Sequence, residues 1–390
     1  MAAALARCSW VLGRCPSHGH RAVRARARVA RAAAADGARG EAEARGACAT
    51  ADRALTAWRR DGKRGGGPAT VWLVGTGPGD VGMVTLRAAQ LMQQADVVLY
   101  DRLVSDDVLA LCNPAAVMVY VGKASGFHTR NQEEIHELLL AFAQTPGATV
   151  VRLKGGDPCV FGRGGEEAEY LVERGVDVRV VPGITAAAGI SASVGVPLTH
   201  RGVAASVRFL TGHLRAGVQE DTAEGEAMAA AAAADAALGP AAANQGEPAE
   251  GSGTLAGQTL VVYMGLQTLP CLVEALFERG GGRSTPAVAV ENGTTPHERR
   301  VFATLDALPG AVVESDLRSP TLVVIGDVVA LAPEWREADG WTTGGWKSAH
   351  GALEAGGGGG VDAVRLLANA EEALKRGNGT ASGTSSRAPL

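Results

Sequence analysis

Between residues 70 and 181 the apolar positions fall into short continuous runs separated by polar, periodic stretches. Val71-Trp72-Leu73-Val74, Val97-Val98-Leu99-Tyr100, Val117 to Val121, Thr149 to Leu153 and Val176 to Val181 are runs of four to six residues, rich in β-branched side chains. The first two read as buried strands and the other three as strands. The stretches between them have helical spacing. Thr85 is placed to cap a helix carrying Leu86, Ala89, Met92 and Ala95 on one face. Asn131 to Phe142 carries Ile135, Leu138, Leu139 and Phe142, and Glu166 to Arg174 ends at Gly175, placed at C′. Strands alternating with helices predict βαβ units and a mainly parallel sheet. After Thr199-His200-Arg201 the texture changes. Val207 to Thr211, Thr259 to Met264, Ala287 to Glu291, Arg300 to Thr304 and Leu322 to Ile325 are further strand candidates, and only 267–279 between them is clearly helical. A second, mixed α/β domain is expected, so the fold class is α/β with domains over 69–200 and 201–337.

Composition marks three segments as foreign to this body. Residues 1–35 hold seven arginines and no Asp or Glu, the composition of an organelle transit peptide. The bland alternative is a basic arm that touches nucleic acid or acidic lipid. Residues 1–68 are thus expected to be leader and linker. Residues 215–257 are mostly Ala, Gly, Glu and Asp, with no apolar stripe to pack, and are expected to be a surface insertion without a role. The tail 338–390 contains a five-glycine run at 356–360. Over the whole chain 37 Lys+Arg stand against 41 Asp+Glu, a formal net charge of −4, which argues against a general nucleic-acid binder. No apolar run approaches the ~20 residues that span a bilayer. The six cysteines form no C-x-x-C pair, and neither a disulfide framework nor a metal site is expected.

In an open α/β sheet, ligands bind beyond the carboxyl ends of the strands. Gly75–Asp80, Asp101-Arg102, Gly122-Lys123, Gly155–Pro158 and Pro182–Ala186 all follow strand candidates. Glycine lets a backbone approach a ligand closely, and five such turns at one edge point to a binding site. A dinucleotide site is the first reading, because Gly75-x-Gly77 follows a strand and Asp101 ends the next one. The third glycine is absent, since position 80 is Asp. Pro78 also removes an N–H where a phosphate loop needs one.

Seven ordered blocks resemble the uroporphyrinogen-III C-methyltransferases, within the tetrapyrrole methylases. They are VWLVGTGPGDVGMVTLRAAQLMQQADVVLYDRLV (71–104), VGKASGFHTRNQEEI (121–135), VRLKGGDPCVFGRGGEE (151–167), VPGITAAAGISASVGVPLTH (181–200), VYMG (262–265), ENGTT (291–295) and SPTLVVIGDV (319–328). Together they cover about 71–214 and 258–335. The resemblance implies a two-domain fold with the active site in the interdomain cleft and a homodimer. It implies methyl transfer from S-adenosylmethionine, leaving S-adenosylhomocysteine, to two ring carbons of uroporphyrinogen III. The product would be precorrin-2, on the way to sirohaem, and the pathway points to a plastid. No dehydrogenase or ferrochelatase segment flanks the body, so the chemistry is expected to stop there. A sister methylase acting at another ring position, and a catalytically inactive tetrapyrrole-binding protein, are the alternatives.

Carried over residue by residue, the resemblance assigns cofactor contacts to Pro78, Gly155, Gly156, Asp157, Val160, Thr185 and Ala186, and to Met264 and Gly293 from the second domain. Asp101 corresponds to the proposed proton acceptor and Lys123 to the proposed donor. Asp101 could instead be only the ion-pair partner of Arg102, and Met264 only core. The substrate carries eight carboxylates, so a locally basic cleft is expected. Arg102, Arg130 and Arg163 are the leading candidates, followed by Arg152, Arg201, His128 and His200. Cys159 stands where an aromatic is commoner, beside the expected cofactor loop.

Overall fold

The computed structural model describes residues 69–122, 131–212, 223–238 and 255–338. The expected leader and linker, most of the 215–257 insertion, the glycine-rich tail, and Lys123, His128 and Arg130 lie outside the described residues.

The first domain is built from β1 (Thr70–Gly75), α1 (Leu86–Gln94), β2 (Val97–Tyr100), α2 (Asp106–Leu109), β3 (Val117–Tyr120), α3 (Gln132–Ala143), β4 (Thr149–Lys154), α4 (Gly164–Val172) and β5 (Asp177–Val181). Its sheet has the order β3-β2-β4-β1-β5, and every pairing is parallel. All five carboxyl ends therefore share one edge, as the sequence reading requires. Local chemistry sets the helix ends. Thr85 caps α1 by accepting from Ala88 N–H, and Asn131 forms a capping box with Glu134 at α3. At α4, Gly175 N–H donates to Val172 C=O and Val176 N–H to Leu171 C=O, the Schellman pattern, with Gly175 at φ 76°. One face of the sheet packs on α3 and α4 through Ile135, Leu138, Leu139, Phe142 and Leu171. The other packs on α1 and α2 through Ala88, Leu91, Met92 and Val108. Leu86, expected on the buried face of α1, is exposed; Ala89, Met92 and Ala95 are buried as expected, together with Ala88 and Leu91.

Helix α5 (Ala186–Ser193) leads into the second domain: β6 (Ala204–Thr211), α6 (Ala223–Leu238), β7 (Gly257–Tyr263), α7 (Leu269–Glu278), β8 (Pro286–Glu291), β9 (Arg299–Thr304), α8 (Leu308–Glu314), β10 (Thr321–Ile325) and α9 (Pro333–Ala338). The sheet order is β6-β7-β10-β8-β9; β6 and β7 are parallel and the other pairs antiparallel, the mixed sheet expected. Helix α5 follows the first sheet in the chain but buries Ala187, Ile190 and Val194 against Val261, Val288 and Val324 of the second. It therefore ties the two domains together. Helix α8 went unpredicted because Pro309 and Gly310 disguise it; Pro is tolerated there in the first turn.

The expectation that 215–257 has nothing to pack is corrected over Ala223–Leu238. Ala230, Ala233, Ala234 and Ala237 are buried in one core with Leu269, Leu272, Val273 and Leu276 of α7. Their spacing of three and four makes a narrow stripe of methyls, which lets two helix backbones approach closely. Arg279 closes the contact with an ion pair to Asp235 at 2.8 Å and Arg208 donates to Ala236 C=O at 2.6 Å. Ala234→Glu would bury a carboxylate in this contact. It is expected to cost about 3 kcal/mol or more and lower the melting temperature visibly. An unchanged melting curve would return the segment to the surface.

Candidate active site

The carboxyl edge of the first sheet is held by glycines packed backbone against backbone. A Cβ on Gly75 would lie 2.5 Å from Gly183 N and 2.7 Å from Gly156 O, and one on Gly183 would run into Gly156 O. Gly77 and Gly156 also exchange hydrogen bonds, N–H to C=O, at 3.2 and 2.7 Å. The loops after β1, β4 and β5 thus form one seam. Close packing, rather than ligand approach, accounts for Gly75 and Gly183; Gly156 owes its identity at least to its φ of 69°.

Asp157 locks the same seam. Its Oδ1 accepts from Cys159 N–H at 2.8 Å and its Oδ2 from Gly183 N–H at 3.0 Å. Val160 N–H bonds back to Asp157 C=O, and Val160 is half-buried. Gly155 is pressed against Leu103, where an added Cβ would come within 2.9 Å of the Leu103 Cβ. Gly156 faces Thr185 and Ala186 at van der Waals distance. Thr185 caps α5 by accepting from Ala188 N–H. Pro78 packs on Gly189 of α5.

The second domain closes the other side. Asp80 N–H donates to Thr294 Oγ1 at 3.3 Å, so the β1 loop meets the loop after β8. Gly293 is buried against Ile190, leaving no room for a Cβ. Tyr263, at the end of β7, accepts from Ala187 N–H at 3.0 Å, and burial pushes its phenol above the usual tyrosine range. The Phe161 ring lies 4.9 Å from the Tyr263 ring, a contact between the domains. Met264 follows Tyr263 with φ 51° and 46% exposure, so its side chain is not core. A non-glycine residue in the left-handed region is uncommon and collects at functional sites. Phe161 and Arg163 share this conformation.

The structure brings together Pro78, Gly155, Gly156, Asp157, Val160, Thr185, Ala186 and Gly293, and sets Met264 beside them through Tyr263. Met264, Phe161 and Ile184 are exposed apolar side chains on or next to these segments. This suits a phosphate-free nucleoside. The residues present therefore fit S-adenosylmethionine better than a dinucleotide, whose pyrophosphate needs a row of free N–H groups.

Asp101 is not the partner of Arg102. Its Oδ2 accepts from Arg152 Nη2 at 2.8 Å and its Oδ1 from Leu103 N–H at 3.0 Å. Arg102 is exposed. Arg152 is only 4% exposed and engaged with Asp101, so it is withdrawn as a holder of substrate carboxylates. Arg163 is half exposed and paired with Glu166 at 2.6 Å; that bond holds its guanidinium firmly charged. Gly164 N–H donates to Pro158 C=O at 2.9 Å, which joins Arg163 to the loop after β4. Arg201 and His200 are exposed. Sequence reasoning missed Tyr263 and the buried charges around Arg152. The visible signals were a Tyr before Met264 at a strand end, and two cations two residues apart in the apolar strand β4. Among the described residues no cluster of metal-binding side chains occurs, and no described helix is long and apolar enough to cross a membrane.

A family model described as Tetrapyrrole (Corrin/Porphyrin) Methylases matches residues 70–309. The S-adenosyl-L-methionine-dependent uroporphyrinogen III methyltransferase, chloroplastic, of Arabidopsis thaliana is 53% identical over 279 residues, 71% of this chain and 69% of that one. A siroheme synthase of Thiobacillus denitrificans is 47% identical over 261 residues, 67% of this chain; the chain spans about half the length of such synthases, 49% in this case. The uroporphyrin III C-methyl transferase of Thermus thermophilus superposes with a TM-score of 0.51 at 40% identity, covering 67% of this chain and 94% of that one. A second structure of that enzyme, complexed with S-adenosylhomocysteine, gives the same score, covering 67% of this chain and 93% of that one.

Two expectations follow from the site geometry. Gly183→Ala has no space for its methyl and is expected to abolish S-adenosylhomocysteine binding, read by calorimetry; wild-type affinity would show that the seam yields. Cys159 is exposed, whereas burial pushes the Cys112 thiol up to about 11. Since the thiolate is the nucleophile, Cys112 stays protonated and inert at pH 8. Peptide mapping after iodoacetamide should find Cys159 alkylated first of the two, and bound S-adenosylhomocysteine should slow it.

Proposed function

The chain belongs to the tetrapyrrole (corrin/porphyrin) methylases, and on that premise we propose that it methylates uroporphyrinogen III at C2 and C7, using S-adenosylmethionine, to give precorrin-2 for sirohaem biosynthesis. The kinship with the chloroplastic uroporphyrinogen III methyltransferase carries this reading. The cleft supports it, because its apolar walls and fixed loops suit a nucleoside without phosphates.

When bound, S-adenosylmethionine supplies an electrophilic methyl group on a sulfonium. The chain's own residues do the rest. Pro78, Gly155, Gly156, Asp157, Val160, Thr185, Ala186, Met264 and Gly293 are proposed to hold it. Asp157 acts there through the seam, since both carboxylate oxygens are committed to loop N–H groups. Attack by a ring carbon leaves a proton to be removed, and Asp101 is proposed to take it. Its carboxylate is fixed by one donor on each oxygen, which leaves lone pairs for that proton. Lys123, outside the described residues, is proposed as the donor. Arg102, Arg130 and Arg163 are proposed to bind the acid side chains of the substrate. The exposed Arg163–Glu166 pair is worth only ~0–1 kcal/mol, so a substrate carboxylate can displace Glu166 at little cost.

The acid-free, Arg-rich N-terminus and the chloroplastic relative support a plastid location, and the family expectation supports a homodimer. Anaerobic incubation of the protein with uroporphyrinogen III and methyl-labelled S-adenosylmethionine is expected to yield a product two methyl groups heavier. A methyl at another ring carbon would make it a sister methylase. No transfer, with S-adenosylhomocysteine still bound, would make it a binding protein. Asp101→Ala is expected to lower turnover roughly 10²-fold or more with S-adenosylhomocysteine affinity unchanged; undiminished turnover would remove Asp101 from the mechanism.

A further inference from the structure

Four charged side chains meet where β2 and β4 end. Arg152 and Lys154 both project from β4 toward α3 and α4, on the face that Val150 shares with Leu139 and Leu171. Both are nearly inaccessible to solvent, and Glu167 of α4 is fully buried among them. Lys154 Nζ donates to Glu167 Oε1 at 2.8 Å, and Arg152 Nε lies 3.5 Å from the same oxygen. Gln132 Nε2 of α3 adds a third contact to it at 3.2 Å. The opposite end of the Arg152 fork reaches out of this interior. Nη2 donates to Asp101 at 2.8 Å, and Nη1 donates to Leu153 C=O at 2.7 Å. Asp101 is the least buried member of the group, at 23% side-chain exposure.

Burying charges costs free energy that their mutual attraction rarely recovers in full, and apolar replacements are often more stable. A fully apolar face here would pack at least as well. Nη1 and Nη2 donate to two separate partners, Nε faces Glu167 at 3.5 Å without a hydrogen bond, and the planar fork holds those directions fixed relative to one another. We propose that Arg152 is a positioning residue for methyl transfer: it transmits the rigid Glu167–Lys154 anchor to Asp101 and fixes the orientation of that carboxylate at the cleft. This rests on the reading that Asp101 takes the substrate proton. Arg152 itself touches neither substrate nor cofactor in this account.

Arg152→Lys keeps the charge but not the fork. It is expected to bind S-adenosylhomocysteine as the wild type does and to leave KM for both substrates nearly unchanged. Its kcat should fall roughly 10- to 100-fold, the scale of loss when a reacting group is misplaced by about 1 Å. Added guanidinium should restore part of the turnover of Arg152→Ala. In the Asp101→Asn background, Arg152→Lys should cause no further loss, because the two act as one unit. An unchanged kcat in Arg152→Lys, or equal losses in both backgrounds, would overturn the inference while leaving the role of Asp101 intact. Full activity in Asp101→Asn would remove both. If the Arg152 variants fail to fold, the isosteric Glu167→Gln takes their place. A several-fold loss of kcat that disappears in the Asp101→Asn background supports the inference, and equal losses in the two backgrounds, or no loss, overturn it.

Discussion

The contact on which the rest of the site depends is the backbone seam of Gly75, Gly156 and Gly183. Each follows or ends a different parallel strand, and a Cβ on Gly75 or Gly183 would run into the backbone of the others. The seam fixes three loops relative to one another without any flexible side chain between them. Asp157 then fastens the β4 loop to the β5 loop through Gly183 N–H. Rigid loops of this kind are what a site needs if binding energy is not to be lost in ordering it.

Around that seam the two domains contribute unlike parts. The parallel sheet gathers five strand ends at one edge, which supplies loops and the Asp101 carboxylate. The mixed sheet supplies the opposing wall. Helix α5 makes the two inseparable: its N-terminus faces Gly156 and its buried side packs on the second sheet. Tyr263 adds a bond from β7 to the first turn of α5, and Thr294 adds one to the β1 loop. The residues proposed to hold the cofactor, from distant parts of the chain, are therefore held by a connected set of contacts. The buried charges of β4 and α4 extend the same logic to Asp101, the proposed proton acceptor.

Local features of the fold were legible in the sequence because local physics decides them. The Thr85 cap and the Gly175 stop follow from residue chemistry within a few positions, and the parallel sheet from strands alternating with helices. Features decided across the fold were not. The alanines of α6 read as filler, since a methyl stripe has no hydrophobic contrast with its own surroundings; only the facing surface of α7 shows it to be core. Leu86 is the first residue of α1 and lies exposed, although Ala89, Met92 and Ala95 of the same expected face are buried. The bland alternative for Asp101, an ion pair with its neighbour Arg102, fails because its partner, Arg152, stands on another strand. The glycine turns were correctly placed at one edge, but a missing side chain does not reveal what occupies its space. At Gly75 and Gly183 it is backbone.

The central claim is that one cofactor site is built jointly by the first-sheet loops, α5 and the second domain. Hydrogen exchange with and without S-adenosylhomocysteine tests it most directly. Slowed exchange is predicted together in the loops at 155–160 and 183–187 and in the segments 263–265 and 292–295. Protection confined to one domain, or none in the 155–160 loop, would contradict the account.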